Sequence, residues 1–315
     1  GVDLAARQIN ANAITFRDEG VSFESYLKAM RLHQWLKNVL VFAPLIAAHQ
    51  FGNPVLTGQG VLAFLAFGLC ASSVYLINDM LDLQADRAHP SKRMRPFASG
   101  AIPIVHGAVM VPVLLVLALA VSLLLPGEFF IVLAGYFVVT LAYSFGLKRL
   151  LMADVIVLAG LYTVRIIAGA AAVSIVPSFW LLAFSMFLFL SLAIVKRYSE
   201  LVVMQAAGKK KAENRSYHSV DLQALLSLGS ASGYISVLVF ALFINSKPIR
   251  NEYATPEVLW LACPLLLYWI SRIWILTRRG DMHDDPVIFT KQDPASLLTM
   301  ELVGAIFSFA SYYTY

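Results

Sequence analysis

The sequence alternates between long apolar blocks and shorter polar connections. Most blocks hold about 20 residues, a length that spans a bilayer core of roughly 30 Å as an α-helix. A transmembrane β-barrel would instead alternate apolar and polar residues over shorter segments. The pattern predicts an all-α polytopic membrane protein with nine transmembrane helices. The predicted spans lie at 36–51, 60–78, 104–125, 128–147, 152–174, 178–195, 222–244, 257–277 and 297–315.

Composition agrees with this prediction. Hydrophobic residues make up 59% of the 315 residues and charged residues only 14%, whereas soluble domains have about 45–50% and about 25%. These values exclude a soluble globular, disordered or collagen-like chain. Cys70 and Cys263 fall inside apolar blocks and have neither metal-ligand nor disulfide spacing, so we expect buried thiols.

The N-terminal part of the chain is polar and mixed in charge. Residues 1–24 lack the apolar core of a signal peptide, and we predict that they form a polar segment or linker. Residues 25–37 have the composition of an amphipathic helix at the membrane interface, with Trp35 at headgroup level.

The basic residues are distributed unequally between the two predicted faces. Of 24 Lys and Arg residues, 20 fall in the N-terminal segment and in the loops 79–103, 148–151, 196–221 and 278–296. Two fall on the opposite face, and Arg165 and Arg272 lie within spans. Because cationic loops stay in the cytoplasm, we predict a multi-pass protein of the inner (cytoplasmic) membrane. Its N-terminus would be inside, its C-terminus outside, and its three long loops cytoplasmic.

Acidic and amide side chains cluster where the second span ends, at Asn78, Asp79, Asp82 and Asp86. The spacing i, i+4, i+8 predicts that Asn78, Asp82 and Asp86 share a helical face, with Asp79 beside Asp82. Acids at a helix C-terminus are electrostatically unfavourable, and a divalent cation would relieve their repulsion. Oxygen donors without His or Cys suit Mg²⁺. We therefore predict that these four residues bind Mg²⁺; the alternative is a solvated helix end.

Basic residues follow the acids directly, at Arg87, Lys92, Arg93 and Arg95. Arg forks and Lys point charges hold phosphate oxygens, so we interpret this run as a phosphate clamp facing the metal. The alternative is that these charges only fix the topology. Further polar groups lie at span ends or within spans, where ionisable groups are functional or paired. We expect four of these residues to hold phosphates: Lys37, Lys148, Lys196 and Arg197. The residues expected to line a cytoplasm-facing polar cavity are Tyr143, Asp154, Arg165, Tyr198 and Glu200.

Asp154 and Arg165 lie on the same predicted span, eleven residues apart. Eleven residues make about three helical turns, so the two side chains share a face. At a rise of about 1.5 Å per residue they are too far apart for a direct ion pair, and we expect none between them.

The run from Asn78 to Asp86 resembles the first aspartate-rich motif of the UbiA superfamily of intramembrane prenyltransferases. Arg87 to Pro96 continue this motif, and Trp35, Lys37 and Asn38 as well as Tyr143 and Lys148 match the family too. The resemblance implies a UbiA-type transmembrane transferase domain over 25–315, which binds Mg²⁺ through the motif and uses it to hold a diphosphate. The candidate catalytic residues are then Asp79, Asp82, Asp86, Tyr198 and Glu200.

One segment departs from the prenyltransferase pattern. A second motif, Asp-x-x-x-Asp, is expected after the sixth span, where this chain has Lys196-Arg197-Tyr198-Ser199-Glu200. This form resembles the decaprenyl-phosphate phosphoribosyltransferase subgroup, which makes precursors of lipid-linked arabinose for the cell envelope. The resemblance implies transfer of 5-phosphoribose from phosphoribosyl diphosphate to a polyprenyl phosphate. Some relatives carry an upstream phosphatase-like domain, from which residues 1–24 would lead as a linker.

Two other functions remain open. A UbiA-type prenyltransferase would move a prenyl group from prenyl diphosphate to an aromatic acceptor, but the missing second aspartate pair argues against it. A transporter would use the acids as an ion path, yet transporters typically show internal repeats and interrupted spans near the midplane. Here the acids cluster at one face. We expect membrane lipids as partners and no nucleic acid.

Overall fold

The computed structural model describes residues 21–88, 92–206, 208, 216–246, 253–282 and 286–312. Within these ranges the chain is helical, without β-strands, and eight helices are long and apolar enough to cross a membrane. The protein is therefore an all-α, multi-pass integral membrane protein, as predicted. The first 20 residues of the predicted linker 1–24 lie outside the described ranges.

Short helical pieces form the beginning of the described chain. They are α1 (Phe23–Ala29), a 3-10 helix (Leu32–Phe42) and α2 (Ala43–Ala47). The later helices are α3 (Pro54–Leu81), α4 (Leu83–Ala88), α5 (Ile104–Ser122), α6 (Gly127–Phe145), α7 (Ala153–Ala172), α8 (Phe179–Ala206), α9 (Leu222–Ile244), α10 (Ala262–Arg279), α11 (Pro286–Gln292) and α12 (Pro294–Tyr312). Shorter 3-10 turns occur at Lys92–Met94, Leu147–Arg149, Ser219–Asp221 and Pro256–Leu261.

The predicted first span, 36–51, is the exception, and the nine-helix count is not confirmed. A 3-10 helix leads into the five-residue helix α2 instead of one continuous α-helix. Pro44 lies at this junction, where it removes one backbone donor. Residues with a left-handed backbone conformation lie at the two ends of this segment: Arg31 has φ 52° and His49 has φ 53°. The other eight predicted spans each overlap one of the eight long helices.

The predicted interfacial helix over 25–37 is not one continuous helix. The α-helix ends at Ala29, and the chain then turns into the bundle. The Trp35 indole nitrogen donates a hydrogen bond to Ser72 Oγ on α3 at 3.0 Å, and the Trp35 ring lies directly against Gly68. Trp35 therefore packs residues 31–49, which we call the first segment, onto α3. The sequence pattern suggested a headgroup anchor for this residue.

Helix α7 lies at the centre of the bundle, because it contributes to two separate apolar clusters. Val155 and Ile166 belong to a cluster with α8, α9 and α10. Leu161 and Ala168 belong to a second cluster with α3 and α6. These two sets lie on different faces of a helix with 3.6 residues per turn. Helices α5 and α12 are among the least buried of the eight and present most of their surface outward.

The first segment packs on α7 at backbone contact. A Cβ atom added to Gly169 would overlap the carbonyl oxygen of Val41. Small residues allow such close approach between membrane helices, where there is little hydrophobic driving force to bring them together. This contact brings Lys37 and Asn38, which are buried, to the side of α7.

Several helix ends meet at one end of the bundle, which we call the polar end. It is defined by Asp82 after α3, Lys148 after α6, Asp154 at the start of α7 and Arg197 near the end of α8. Lys148 contacts Asp82, and Arg197 contacts Asp154, so these four helix ends are neighbours in space. The candidate site lies here.

We expect Gly169→Ala to lower stability by about 1–3 kcal/mol, because the new methyl group must displace the backbone at Val41. Gly160→Ala on the same helix is the matched control: nothing lies within 4 Å of its added Cβ, and alanine favours the helix by up to about 1 kcal/mol. Thermal unfolding of the purified variants in detergent measures both. Equal melting temperatures for the two variants would contradict the close contact.

Candidate active site

The acidic run crosses the break between α3 and α4. Asn78 and Asp79 lie in the last turn of α3, Asp82 follows its final residue, and Asp86 lies in α4. The Asp82 amide donates to the Asn78 carbonyl at 2.9 Å, and the Asp86 amide donates to the Asp82 carbonyl at 2.8 Å. Helical hydrogen bonding thus continues through the break and fixes the directions of these side chains.

Lys148 binds two residues of this run, Asn78 and Asp82. Its ammonium group donates to both carboxylate oxygens of Asp82, at 2.8 and 3.0 Å, and to Asn78 Oδ1 at 3.3 Å. The Lys148 side chain is buried and belongs to the turn Leu147–Arg149 that joins α6 to α7. The α6–α7 turn is therefore attached to the end of α3 by a charge-assisted contact.

Arginines bind the other two residues of the run, Asp79 and Asp86. Arg95 Nη1 lies 3.2 Å from Asp79 Oδ1 and 2.6 Å from Asp86 Oδ2, so a single nitrogen bridges two carboxylates. Arg31 also pairs with Asp79, and its guanidinium lies 5.4 Å from the centroid of the Tyr75 ring. Asp79 and Asp86 are only 2% and 3% exposed, and removing a cationic partner from a buried charge is strongly destabilising.

The predicted single face of Asn78, Asp82 and Asp86 is therefore wrong. At 3.6 residues per turn, a separation of eight residues rotates a side chain by about 80°, whereas seven residues rotate it by only about 20°. Asp86 consequently shares a direction with Asp79, while Asp82 shares one with Asn78. Among the described residues, no group of three His, Cys, Asp or Glu side chains is placed to hold a metal.

The basic run after the acids divides between the site and the surface. Arg95 reaches the carboxylates, as described above. Arg87 is exposed, and its Nε donates to the Ala98 carbonyl at 3.3 Å. Lys92 and Arg93 are exposed in the turn Lys92–Met94. Three of the four predicted clamp residues are thus exposed at the surface.

Arg165 occupies a buried aromatic cage. Its Nε donates to Asn38 Oδ1 at 3.0 Å, its Nη2 donates to the Tyr136 hydroxyl at 3.2 Å, and its Nη1 donates to the Leu161 carbonyl. Three ring centroids lie 5.1–5.6 Å from the guanidinium carbon, those of Phe67, Tyr136 and Tyr162. All these partners are neutral, and Asp154 is not among them, so the expected lack of a direct Asp154–Arg165 pair is confirmed.

Asp154 instead belongs to a second buried polar group. Its Oδ1 accepts a hydrogen bond from the Tyr217 hydroxyl at 2.5 Å. Its Oδ2 lies 2.9 Å from Arg197 Nε, at ion-pair distance although the N–H is not aligned for a hydrogen bond. Arg197 also pairs with the half-exposed Glu200. Asp154, Arg197 and Tyr217 are at most 1% exposed. Arg197, a predicted phosphate ligand, is thus committed to this group.

The other predicted cavity and phosphate-binding residues have different surroundings. Tyr198 is buried and packs edge-on against Trp274, with ring centroids 6.1 Å apart, so this candidate catalytic group lies in the apolar core. Lys37 lies 5.4 Å from the centroid of the Tyr162 ring. Tyr143 and Lys196 are half-buried near the ends of α6 and α8.

Two residues of the site were missed by sequence reasoning. Arg31 pairs with Asp79 from a segment that the sequence suggested was a surface helix; its left-handed backbone redirects the chain. Tyr217 is an isolated tyrosine in a polar loop, and no periodicity or motif marks it. Both reach their carboxylate partners only through tertiary contacts.

Sequence comparison identifies the family. Residues 39–297 match the profile of the UbiA prenyltransferase family. The chain belongs to this family. The resemblance of the acidic motif is thereby confirmed, and the protein is a UbiA-type membrane transferase.

Similar proteins include members with and without a described activity. Over 91% of its length the chain is 37% identical to the uncharacterized protein y4nM of Sinorhizobium fredii, and it spans 56% of that protein. It is 35% identical to the decaprenyl-phosphate phosphoribosyltransferase of Mycolicibacterium smegmatis, covering 89% of this chain and 90% of that one. A UbiA homologue from Archaeoglobus fulgidus, solved with GPP and Mg²⁺, shares the fold with a TM-score of 0.66 at 19% identity, over 90% of this chain and 99% of that one.

We expect Arg165→Lys to lower stability by about 2–4 kcal/mol, because an ammonium group cannot reproduce the forked hydrogen bonds and ring contacts of the cage. Arg149→Lys, at an exposed position of the α6–α7 turn, is the control and should change stability little. Thermal unfolding in detergent distinguishes them. An Arg165→Lys variant as stable as the control would show that the cage does not depend on the guanidinium.

Proposed function

We propose that this UbiA family member is a Mg²⁺-dependent transferase that moves 5-phosphoribose from phosphoribosyl diphosphate to a polyprenyl phosphate. The observation that carries the proposal is the ionic bridging at the polar end. Two buried carboxylates share Arg95, and a third binds Lys148. A metal ion and a phosphorylated substrate can replace these internal pairs without leaving any charge unpaired.

The donor set fits a magnesium ion. Arg95 places one positively charged nitrogen between Asp79 and Asp86, where it stands in for a cation. Carboxylate and amide oxygens without His or Cys are the ligands that Mg²⁺ prefers. Asp79 and Asp86, which converge on Arg95, would hold the ion between them. Asn78 and Asp82, which share another direction, are the other two predicted ligands and would have to turn toward it. When bound, Mg²⁺ would neutralise the charge that develops on the departing diphosphate.

The basic side chains would hold the phosphates. Arg31, Arg95 and Lys148 pair with the acids here, and each would turn to a phosphate oxygen when the carboxylates bind the metal. Arg forks and Lys point charges suit this role. The remaining phosphate-binding candidates are Lys37, Arg87, Lys92, Arg93 and Lys196, and Tyr143 remains a candidate to line the predicted polar cavity.

The reaction requires little proton transfer from the protein. An oxygen of the lipid phosphate would attack the anomeric carbon of the ribose while the bond to the diphosphate breaks. The second pKa of a phosphate monoester is about 6, so this oxygen is largely ionised at neutral pH. The carboxylates Asp79 and Asp86 are thus available to the metal, and their part in catalysis is electrostatic.

The end of α8 favours a phosphoribosyl donor over a prenyl donor. Arg197 lies where a second aspartate pair is expected, and it is held by Asp154 and Glu200. A second acidic metal site is thus absent from this described stretch of α8. The activity named for the M. smegmatis relative supports the same choice. The predominance of basic residues on the predicted cytoplasmic face supports an orientation in which the polar end faces the cytoplasm.

The direct test supplies the purified protein with labelled phosphoribosyl diphosphate, decaprenyl phosphate and Mg²⁺. We expect a lipid-linked phosphoribose, and we expect Asp86→Asn to lower the rate at least about 100-fold through loss of the metal ligand. Asp281→Asn, at an exposed carboxylate outside the run, should retain the rate. Transfer from prenyl diphosphate to an aromatic acid without any lipid-linked ribose would instead establish the prenyltransferase alternative.

Metal binding has a separate readout. We expect Arg95→Gln to melt several degrees below the wild type in EDTA, since two buried carboxylates lose their shared cation. Mg²⁺ should then raise its melting temperature more than that of the wild type. Arg93→Gln, at an exposed neighbouring position, should behave as the wild type does. An equal Mg²⁺ response in all three proteins would argue against a metal between Asp79 and Asp86.

A further inference from the structure

The connection from the α6–α7 turn, which carries Lys148, to helix α7 has a strained backbone. Met152, three residues beyond the turn Leu147–Arg149, has φ 62° and ψ −29°, a left-handed conformation that costs a residue other than glycine of order 1–3 kcal/mol. Such a conformation persists only where the surroundings determine it. The contacts that hold this backbone therefore decide where Lys148 lies.

Two consecutive residues ahead of α9 make these contacts. The Met152 amide donates to the Tyr217 hydroxyl at 3.1 Å, and the Ser216 hydroxyl donates to the Arg149 carbonyl. The tyrosine hydroxyl in turn donates to Asp154 Oδ1 at 2.5 Å. Ser216 and Tyr217 thus hold the connection between α6 and α7 at two places, Arg149 and Met152.

The Tyr217 side chain is buried and makes contacts through both its ring and its hydroxyl. It is 1% exposed, and the Arg197 guanidinium carbon lies 5.7 Å from its ring centroid. Burial, reinforced by the hydrogen bond to Asp154, raises the pKa of the Tyr217 hydroxyl well above its ordinary value. The phenol therefore keeps its proton and can donate to Asp154 while accepting from Met152.

We propose that Tyr217 is a positioning residue that sets the Lys148 ammonium group against Asp82 by holding the strained turn at Met152. The proposal rests on the proposed function for the importance of Lys148 in phosphate binding. Its physical content, that the Tyr217 hydroxyl fixes Lys148, does not depend on the substrate. Tyr217 itself touches neither the acidic run nor any reacting atom.

Tyr217→Phe tests the proposal, since it keeps the buried ring and removes only the hydroxyl. The first readout is the rate at which an amine-reactive reagent labels each lysine, measured by mass spectrometry of the full chain in detergent. We expect the labelling of Lys148 to rise about 5-fold, as expected for the loss of a hydrogen bond. Lys37 is also buried and serves as the internal control. General loosening of the fold would expose both lysines, whereas a local effect of Tyr217 should leave the labelling of Lys37 as in the wild type.

Tyr234→Phe is the matched control. Its hydroxyl bonds to Ser271 Oγ at 3.0 Å between α9 and α10, away from the turn, so Lys148 labelling should not change. Unchanged Lys148 labelling in Tyr217→Phe, or an equal rise at Lys37, would overturn the proposal whatever reaction the protein catalyses.

The second readout is phosphoribosyl transfer in a double-mutant cycle. We expect Tyr217→Phe to lower kcat/KM for the donor about 5- to 10-fold in the wild type, but less than about 2-fold in a Lys148→Met background. Equal losses in both backgrounds would contradict an action through Lys148. If no transfer occurs in any protein while Lys148 labelling still rises, the proposed function fails and the positioning role remains.

Discussion

Ionic pairing between side chains from different helices organises the polar end of this bundle. Asp79 and Asp86 are almost inaccessible to water, and an unpaired buried carboxylate costs several kcal/mol. Each is therefore held by a cation from another element, Arg95 from the connection after α4 and Arg31 from the first segment. The acidic run consequently determines where these segments lie, and the site exists only in the assembled bundle.

Under the proposed function, the same pairing would explain how a site rich in acids could bind phosphates. In the structure Asp79, Asp82 and Asp86 are paired with cations, which are Arg31, Arg95 and Lys148. If a divalent ion takes the carboxylates, Arg95 and Lys148 lose their partners and become strong phosphate ligands at the same place. Metal and phosphorylated substrate would then favour each other's binding. The metal would take the carboxylates away from Arg95 and Lys148, and the phosphate would give these two cations a new partner.

The long helices were predictable because their signal is local. A block of apolar residues specifies a membrane helix wherever it occurs, and eight of the nine predicted spans formed helices of that kind. The segment 36–51 failed because its apolar composition hides Pro44 and the buried polar residues Lys37 and Asn38, which favour an irregular path against α7 over a lipid-exposed helix.

The candidate site was only partly predictable, because its contacts are remote in sequence. The motif indicated which residues are acidic, but not that Asp82 would bind Lys148, 66 residues away, nor that Asp154 would bind Tyr217, 63 residues away. The i, i+8 grouping also failed for a geometric reason, since helical rotation favours i, i+7. Sequence spacing thus suggested a chemistry for the site, whereas tertiary packing decided how its side chains are paired.

The buried cations differ in what their partners allow them to do. Arg165 is held by an amide oxygen, a carbonyl and a phenol within three aromatic rings, all parts of the fold that no ligand can replace without disrupting it. Lys148 is held by a carboxylate whose charge a metal ion can take over. A cation bound by neutral groups is therefore a structural cross-link, whereas one bound by an exchangeable anion can change partner. This difference in partners separates Arg165 from Lys148, the cation that the proposed function would release to a phosphate.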